Sequence, residues 1–305
     1  MKFRTIVSAL CYFCWFFLAW AYWLRPDSLT ALTIAPAWIW VPTGLVLASL
    51  ASWKDKRQLL AHWSLGLLFL LSFSEEAYSV LPSRVESEGN RIVSLNWGGA
   101  GRAAFPDVLA LKPSVLFVQE APRKELLEEL AEELGLEFLW TPEAAILASG
   151  ELSEIARSVH HVHAKWRDID LVSLRLRPPL ARFDLWSPSC WRAYAERRRE
   201  RRGQVEVFLP NLGLSSIVAG DFNVPAGDGA LDSLASKLQD CYSSSDGEFC
   251  NTAPSFLPLH RIDQVWMTDK KQVLGSWTKE IKGSDHRAVI VELSSSAEGL
   301  FQSSP

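Results

Sequence analysis

The sequence predicts an α/β sandwich, two sheets face to face with helices outside, standing behind an apolar N-terminal third of two to three membrane-crossing helices. Three observations carry that reading. Short strand-like runs recur between residues 91 and 293, with helical stretches between them at irregular intervals. Acidic, amide or imidazole residues stand on or just beyond the ends of several of those runs. The first 74 residues, in contrast, carry charge only at the junctions between apolar runs.

The stretch that organises the rest reads IVAGDFNVP, residues 217–225. Residues suited to a central strand run into Gly220, and Asp221 and Asn223 follow two apart, so both side chains leave the strand end in the same direction. Alone, Gly-Asp-x-Asn is an ordinary turn after a strand. It gains meaning when other polar residues end other strands at the same rim.

Composition narrows the choices. The 305 residues hold 31 Lys+Arg against 35 Asp+Glu, a formal net charge of −4. That balance excludes a global electrostatic footprint for nucleic acid, so any basic surface is local. Hydrophobic residues make up 48%, with 14 Trp, concentrated toward the N-terminus. The remaining ~200 residues are enough for one full core. The five cysteines form no disulfide framework.

Residues 6–24 hold no charge and match the ~30 Å hydrocarbon thickness of a bilayer. Residues 28–53 form a second uncharged stretch, in which Pro36 and Pro42 predict an irregular entry or a kink. Residues 59–74 are a third apolar run, short for a span, with His62 inside it. Lys2 and Arg4, then Lys54, Lys56 and Arg57, belong on the cytoplasmic side. Three spans therefore make a multi-pass protein of the cell membrane, with everything after Glu75 extracytoplasmic. If the third run lies along the interface, the domain stays cytoplasmic instead. Residues 75–90 read as a polar tether, 91–293 as the folded domain and 294–305 as a disordered tail.

Within the domain, strands are expected at 91–95, 115–118, 138–140, 144–148, 159–164, 169–176, from 217 to 219 into Gly220, 261–267 and 288–293. Helices are expected near 103–111, 125–134, 187–207 and 230–238. Asn96, Glu120, Asp221 with Asn223, Asp263, and Asp285 with His286 then fall on or at the ends of five separate strands. Those residue types suit phosphoryl transfer. A divalent ion held by one or two carboxylates neutralises phosphoryl oxygens. A His paired to an Asp stays oriented as acid, base or phosphate contact. An Asn fixes a phosphate or a water without titrating.

In order, LN (95–96), FVQE (117–120), AGDFNVP (219–225), RIDQV (261–265) and SDHRAV (284–289) resemble the endonuclease/exonuclease/phosphatase superfamily, the deoxyribonuclease-I-like fold. The likeness spans about two thirds of the chain, and the stretch 251–263 resembles the subgroup with N-terminal membrane helices. The resemblance implies a four-layer α/β sandwich and a hydrolase that needs Mg²⁺, with Mn²⁺ as a substitute. It implies that Glu120 is the metal ligand, helped by Asn96, with Asp285 near the metal or its waters. Asp221 is then the residue that aligns or deprotonates the attacking water, Asn223 sits beside the phosphate, and His286 is the catalytic histidine oriented by Asp263.

One feature departs from that pattern. Hydrolytic members carry a further His at the end of the strand that here reads LVSLRLRPPL, where this chain has Arg175 and Arg177. Arginine stays protonated and cannot act as a general acid near neutral pH, but it can clamp a phosphate. Two functions follow. The first is a membrane-anchored phosphoesterase acting on phosphodiesters of nucleic acid or of a phospholipid headgroup, with no protein partner implied. The second is a catalytically impaired domain that binds a phosphorylated ligand or partner in the same cleft.

Other motifs read as structural. His160, His161 and His163 lack accompanying Cys or carboxylates and read as strand residues. One of them standing in for the missing His stays open. Residues 197–202 (RRRERR) read as a solvated helix face. Gly98-Gly99-x-Gly101 reads as a turn, and Cys241 and Cys250 enclose a loop that one disulfide would close.

Overall fold

The computed structural model describes residues 2–74, 90–242, 250–269 and 273–294. The expected tether up to residue 89, most of the loop between Cys241 and Cys250, and the expected tail beyond residue 294 lie outside the described residues. The chain divides into two compact units: Met1–Val80 with Leu180–Arg199, and Leu81–Pro179 with Glu200–Pro305.

The first unit is helical. Helix α1 covers Lys2–Leu24, the short α2 Thr30–Thr33, α3 Trp40–Ser52 and α4 Lys56–Phe73. Among the described residues, Thr5–Leu24 is the single continuous helix long and apolar enough to cross a membrane unaided, fewer than the two to three the sequence predicts. The stretch 28–53 does not run straight. Its halves, Asp27–Thr33 and Ala37–Ser52, meet at 65°. Pro36 sits at the break, where its ring removes a backbone donor and drives the preceding residue out of the helical region. Helix α4 opens with Lys56, Arg57 and Gln58 after the N-cap Asp55, whose carboxylate accepts from the Arg57 and Gln58 amides at 3.0 and 3.2 Å. That polar first turn dilutes its hydropathy.

The helices nevertheless pack along one another. Ser8 of α1 meets His62 of α4 at 3.0 Å and Ser52 of α3 at 3.5 Å. At the other end of α1, Trp15 and Tyr22 pack on Phe69 with ring centroids 5.8 and 5.5 Å apart. So α4 runs parallel to α1 and α3 antiparallel to it. Residues 180–199 belong to this unit through Cys190 and Tyr194, which cluster with Ala31 and Ile34. Arg198 is fully buried and donates to the carbonyls of Arg25 at 2.7 Å and Pro26 at 3.3 Å, and to Thr33 Oγ1 at 2.7 Å. The basic run is therefore solvated on one side only, where Arg199 and Glu200 are exposed. Arg198 and Arg201 are both wholly buried, Arg201 donating to the Arg177 carbonyl at 2.7 Å.

The second unit is the sandwich. One sheet comprises β1 (Asn90–Asn96), β2 (Val115–Gln119), β3 (Glu137–Trp140), β4 (Ala144–Ala148), β11 (Val273–Glu280) and β12 (Arg287–Leu293), in the order β11-β12-β1-β2-β4-β3. The other comprises β5 (Leu152–Arg157), β6 (His161–Trp166), β7 (Ile169–Arg175), β8 (Ser216–Asp221), β9 (Gln239–Asp240) and β10 (Asp263–Met267), in the order β5-β6-β7-β8-β10-β9. Strands β5 and β11 were not legible in the sequence, because both are edge strands with little apolar alternation. Between the sheets lies a dry core from alternate residues such as Ile92, Phe117, Ile146, Ala164, Leu171, Ile217 and Val291. On the outer face of the first sheet, α5 (Phe105–Leu111) and α6 (Lys124–Leu134) bury Val108, Leu127 and Leu130 against Val93, Leu95 and Leu116. The helix α7 (Pro188–Phe208) gives its later residues to this unit, where Phe208 packs on His161. The short α8 (Asp232–Ala235) is all that forms of the helix expected at 230–238.

The histidines of β6 are settled by strand parity. Val162, Ala164 and Trp166 face the inter-sheet core, so His161 and His163 point to the opposite face. Neither can replace the missing histidine. His161 meets Ser158 Oγ at 2.8 Å, while His163 is buried 3.6 Å from Asp170. Burial pushes the His163 imidazole below its ordinary value, and the attraction of Asp170 does not restore it. The unfolded chain therefore takes up this proton more readily than the folded one. The stability at stake is full above the ordinary histidine value of about 6.5 and is lost as pH falls through the lowered value. Replacing His163 by Leu is expected to flatten the decline in melting temperature between pH 7.5 and pH 5, as thermal unfolding across that range would read. Identical pH profiles for variant and parent would refute this.

Candidate active site

The inner faces of the strands change character along their length. Toward one rim, β1 runs Ile92, Ser94, Asn96; β2 runs Val115, Phe117, Gln119; β7 runs Leu171, Ser173, Arg175; and β8 runs Ile217, Ala219, Asp221. On antiparallel β10 the order is reversed, Met267 and Val265 lying deeper than Asp263. Ser94, Gln119 and Ser173 form a buried hydrogen-bonded layer, with Gln119 at 3.4 Å from Ser94 and 3.3 Å from Ser173. Above that layer stand the ionisable groups. Their side chains gather because period-2 alternation sends every second residue inward and the register aligns the strand ends: Arg175 is level with Asp221 on β7 and β8, and Asp221 with Asp263 on β8 and β10.

Asn96 lies at the centre and is fully buried. Its amide nitrogen donates to Glu120 Oε1 at 3.2 Å and to Asp221 Oδ2 at 3.1 Å, and its carbonyl accepts from the Gly98 amide at 3.0 Å. Asn223 donates to the same Asp221 carboxylate twice, from backbone and side chain at 2.9 Å each, and to the Leu176 carbonyl at 2.9 Å. It holds φ at +55°, a left-handed value that Asn tolerates better than most residues. His286 Nδ1 meets Asp263 Oδ2 at 2.7 Å. Ligand atoms of Asp221, Asp263 and His286 all lie within 4.8 Å of one another. Asp285 is exposed beside the turn after β1, where Gly98 has φ +49° and a Cβ would come within 2.3 Å of Asp285 Oδ1.

Packing so many charges together perturbs them. Burial is the largest cause raising Asp221, followed by repulsion from Asp263, and His286 and Arg175 only partly oppose it, so the carboxyl is pushed up to about 7. For His286 burial works the other way. The charge and hydrogen bond of Asp263 outweigh it, with Asp221 and Asp285 adding to them, and the imidazole is pushed up to about 9. Asp263 Oδ1 is buried without a hydrogen-bond partner.

Arg175 enters this cluster and Arg177 does not. The Arg175 guanidinium reaches Glu120 at 2.7 Å and Glu143 at 2.5 Å, with Nε 3.8 Å from Asp221. Strand β7 ends at Arg175. Beyond it the backbone turns toward α7, where the Arg177 amide donates to Gln204 at 3.0 Å and its guanidinium faces Glu200 at 4.0 Å. Of the two arginines the sequence offers as phosphate contacts, Arg175 therefore stands among the carboxylates and Arg177 stands apart from them. Glu143 was not anticipated. It lies in the bend before β4, where its carbonyl accepts from the Glu120 amide at 3.2 Å. Cys241 and Cys250 are buried thiols with no disulfide between them.

The family model for the endonuclease/exonuclease/phosphatase family matches residues 91–286. The chain belongs to the endonuclease/exonuclease/phosphatase family. Among solved structures it is similar to an AP endonuclease from Archaeoglobus fulgidus, at 13% identity and a TM-score of 0.55, covering 67% of this chain and 99% of that one. The 3′ phosphatase NExo from Neisseria, bound to a product DNA hairpin, gives 13% identity and 0.53 over 67% and 99% of the two chains. An endonuclease/exonuclease/phosphatase from Bacteroides vulgatus gives 13% and 0.51 over 68% and 99%. At such identities these structures establish the fold. No curated protein matches the sequence.

A family of this kind implies a divalent cation, and the donor set suits one. Among the described residues, Glu120, Glu143, Asp221, Asp263 and Asp285 have Arg175 and His286 as counter-charges, and the excess oxygen ligands are those that hard cations prefer. The unpaired oxygen of Asp263 and the elevated Asp221 are the mark of that surplus negative charge.

Proposed function

We propose that this family member is a membrane-anchored, divalent-cation-dependent hydrolase of phosphate esters, with phosphodiesters of nucleic acid or of a lipid headgroup as its substrate class. The observation that carries the proposal is the convergence of Asp221, Asp263 and His286 within 4.8 Å, joined to Glu120 through Asn96. Glu120, Asn96 and Asp285 are the residues that would hold Mg²⁺, or Mn²⁺ in its place. When bound, that ion supplies charge neutralisation on the phosphoryl oxygens.

The chain's own groups supply the rest. Asp221, raised toward neutrality, accepts the proton of the attacking water as the new P–O bond forms. Asn223 and Asn96 hold its carboxylate by three hydrogen bonds, which fixes the direction of attack. His286 is locked by Asp263 through Nδ1, leaving Nε2 as the donor toward a phosphoryl or leaving-group oxygen.

Assays of the full-length protein in detergent on DNA, RNA, sphingomyelin and a bis-aryl phosphodiester are expected to give turnover that needs Mg²⁺ and stops with chelator. Absence of cation-dependent turnover on all of them would favour a second reading, a domain that binds phosphorylated ligands without cleaving them. The carboxylates held by Arg175, where hydrolytic relatives carry a His, are what speaks for that alternative.

Membrane anchoring rests on α1. Lys2, Arg4, Lys54, Lys56 and Arg57 assign its starting end to the cytoplasm. Because α4 runs parallel to α1, it ends on the far side, and residues 180–199 pack on the α1–α3 connection at that same side. The catalytic domain is then extracytoplasmic. Leu214 is fully exposed, so a Leu214→Cys variant with Cys11 and Cys14 replaced by Ala tests this. A membrane-impermeant maleimide is expected to label it in intact cells, and labelling only after lysis would reverse the orientation.

A further inference from the structure

The mechanism above leaves Arg175 without a task, although it is the residue most tightly drawn into the carboxylates. One arm of its guanidinium lies on Glu120 at 2.7 Å, the other on Glu143 at 2.5 Å, and its Nε is 3.8 Å from Asp221. The Arg175 side chain is 23% exposed, so a ligand entering the rim meets it directly. Attraction to both carboxylates and to Asp221 outweighs burial and keeps the group cationic.

We propose that Arg175 is an internal counter-cation that makes metal and phosphate binding cooperative. At rest it neutralises Glu120, the residue assigned to the metal, and repels a divalent ion from it. An incoming phosphate matches the guanidinium fork better than two separate carboxylates do, and draws one arm off Glu120. Glu143 keeps hold of the other arm, so the side chain pivots without leaving the site. Freed of its neighbour's charge, Glu120 then binds the metal more tightly. By thermodynamic linkage, metal raises the affinity for phosphate by the same factor. Arg175 is thus a positioning residue for the metal as well as a contact for the substrate class. A histidine at this position would offer neither the fixed charge nor the fork. The inference rests on the cation-dependent reading of the site.

The test is equilibrium binding of Mn²⁺ to the full-length protein in detergent, read from the electron paramagnetic resonance signal of free Mn²⁺, with and without inorganic phosphate. In the parent protein phosphate is expected to tighten Mn²⁺ binding about tenfold, a coupling of typical size. Arg175→Gln is expected to bind Mn²⁺ about tenfold more tightly than the parent without phosphate, and to lose the coupling. If that variant fails to fold, Arg175→Lys serves, because an ammonium concentrates its donors on one nitrogen and lacks the two arms that address Glu143 and phosphate separately. Its coupling is expected to fall by more than half. Unchanged Mn²⁺ affinity and coupling in the variants would overturn the role of Arg175 while leaving the cation-dependent reading intact. No Mn²⁺ binding to any of the proteins, with phosphate present, would overturn both.

Discussion

Asp221→Asn is expected to lower turnover on any phosphodiester substrate by roughly 10³-fold, within the range of removing a positioned base. The same change should leave the fold intact and raise the melting temperature slightly. Asp221 is a buried carboxylate directly across from Asp263, whose charge adds to burial in disfavouring its own. Replacing it by a neutral amide of the same shape removes that repulsion; its one oxygen keeps the Asn96 and Asn223 side-chain bonds but loses the one from the Asn223 backbone amide, which limits the gain. A group retained against its effect on stability is one kept for chemistry. His286→Ala should reduce turnover by a similar factor but without the stability gain, since it strands Asp263. Steady-state kinetics with thermal unfolding on the same samples decide the matter. A variant with full activity, or an Asp221→Asn protein that melts far below the parent, would show that the carboxylate serves the structure.

The second large effect concerns the residue just before it. Gly220 has φ +156°, and a Cβ there would sit 1.9 Å from the Leu174 carbonyl oxygen and 3.1 Å from the Leu174 amide nitrogen. Both neighbouring atoms are backbone of paired strands in the centre of the sheet, so no side chain can rotate away. Gly220→Ala must push β7 and β8 apart at the level where Arg175 and Asp221 face each other. We expect a loss of about 3 kcal/mol or more, in the class of overpacking combined with backbone strain. Thermal unfolding of the purified variant measures it, and a melting temperature within 2–3 °C of the parent, less than about 1 kcal/mol, would rule this out. Gly-Asp is therefore a pair with two duties, the glycine permitting the close approach and the aspartate using the rim it creates.

Much of this site was legible in the chain because strand geometry is short-range. Once a run is a strand, the inward positions follow by counting in twos. Asn96, Asp221 and Asp263 lie on the inner face by the same parity that places Ile92, Ile217 and Val265 in the core. Glu120 and His286 stand beyond strand ends, where parity gives no answer, and their places came from the ordered motifs. Glu143 had no signal at all, since its role depends on β4 lying beside β2. Arg177 lies apart from the carboxylates for a related reason. Its spacing from Arg175 suggests a shared face, but the strand stops first and α7 captures the backbone. The basic run at 197–202 is solvated on one side only, because charge predicts solvent only when no carbonyls are waiting. Arg198 finds those of Arg25 and Pro26, more than 170 positions away.

The sequence by itself determined the order of the apolar runs and of most strands, the inward-facing residues of those strands, and the chemical types gathered at the rim, because all of these depend on neighbours a few residues apart. The tertiary structure alone decided that Pro36 bends the second apolar stretch, that α4 follows α1, and that residues 180–199 join the helices. It also decided that a guanidinium stands between Glu120 and Glu143. Each of these is a contact between segments distant along the chain, fixed by packing and charge pairing that no local pattern encodes.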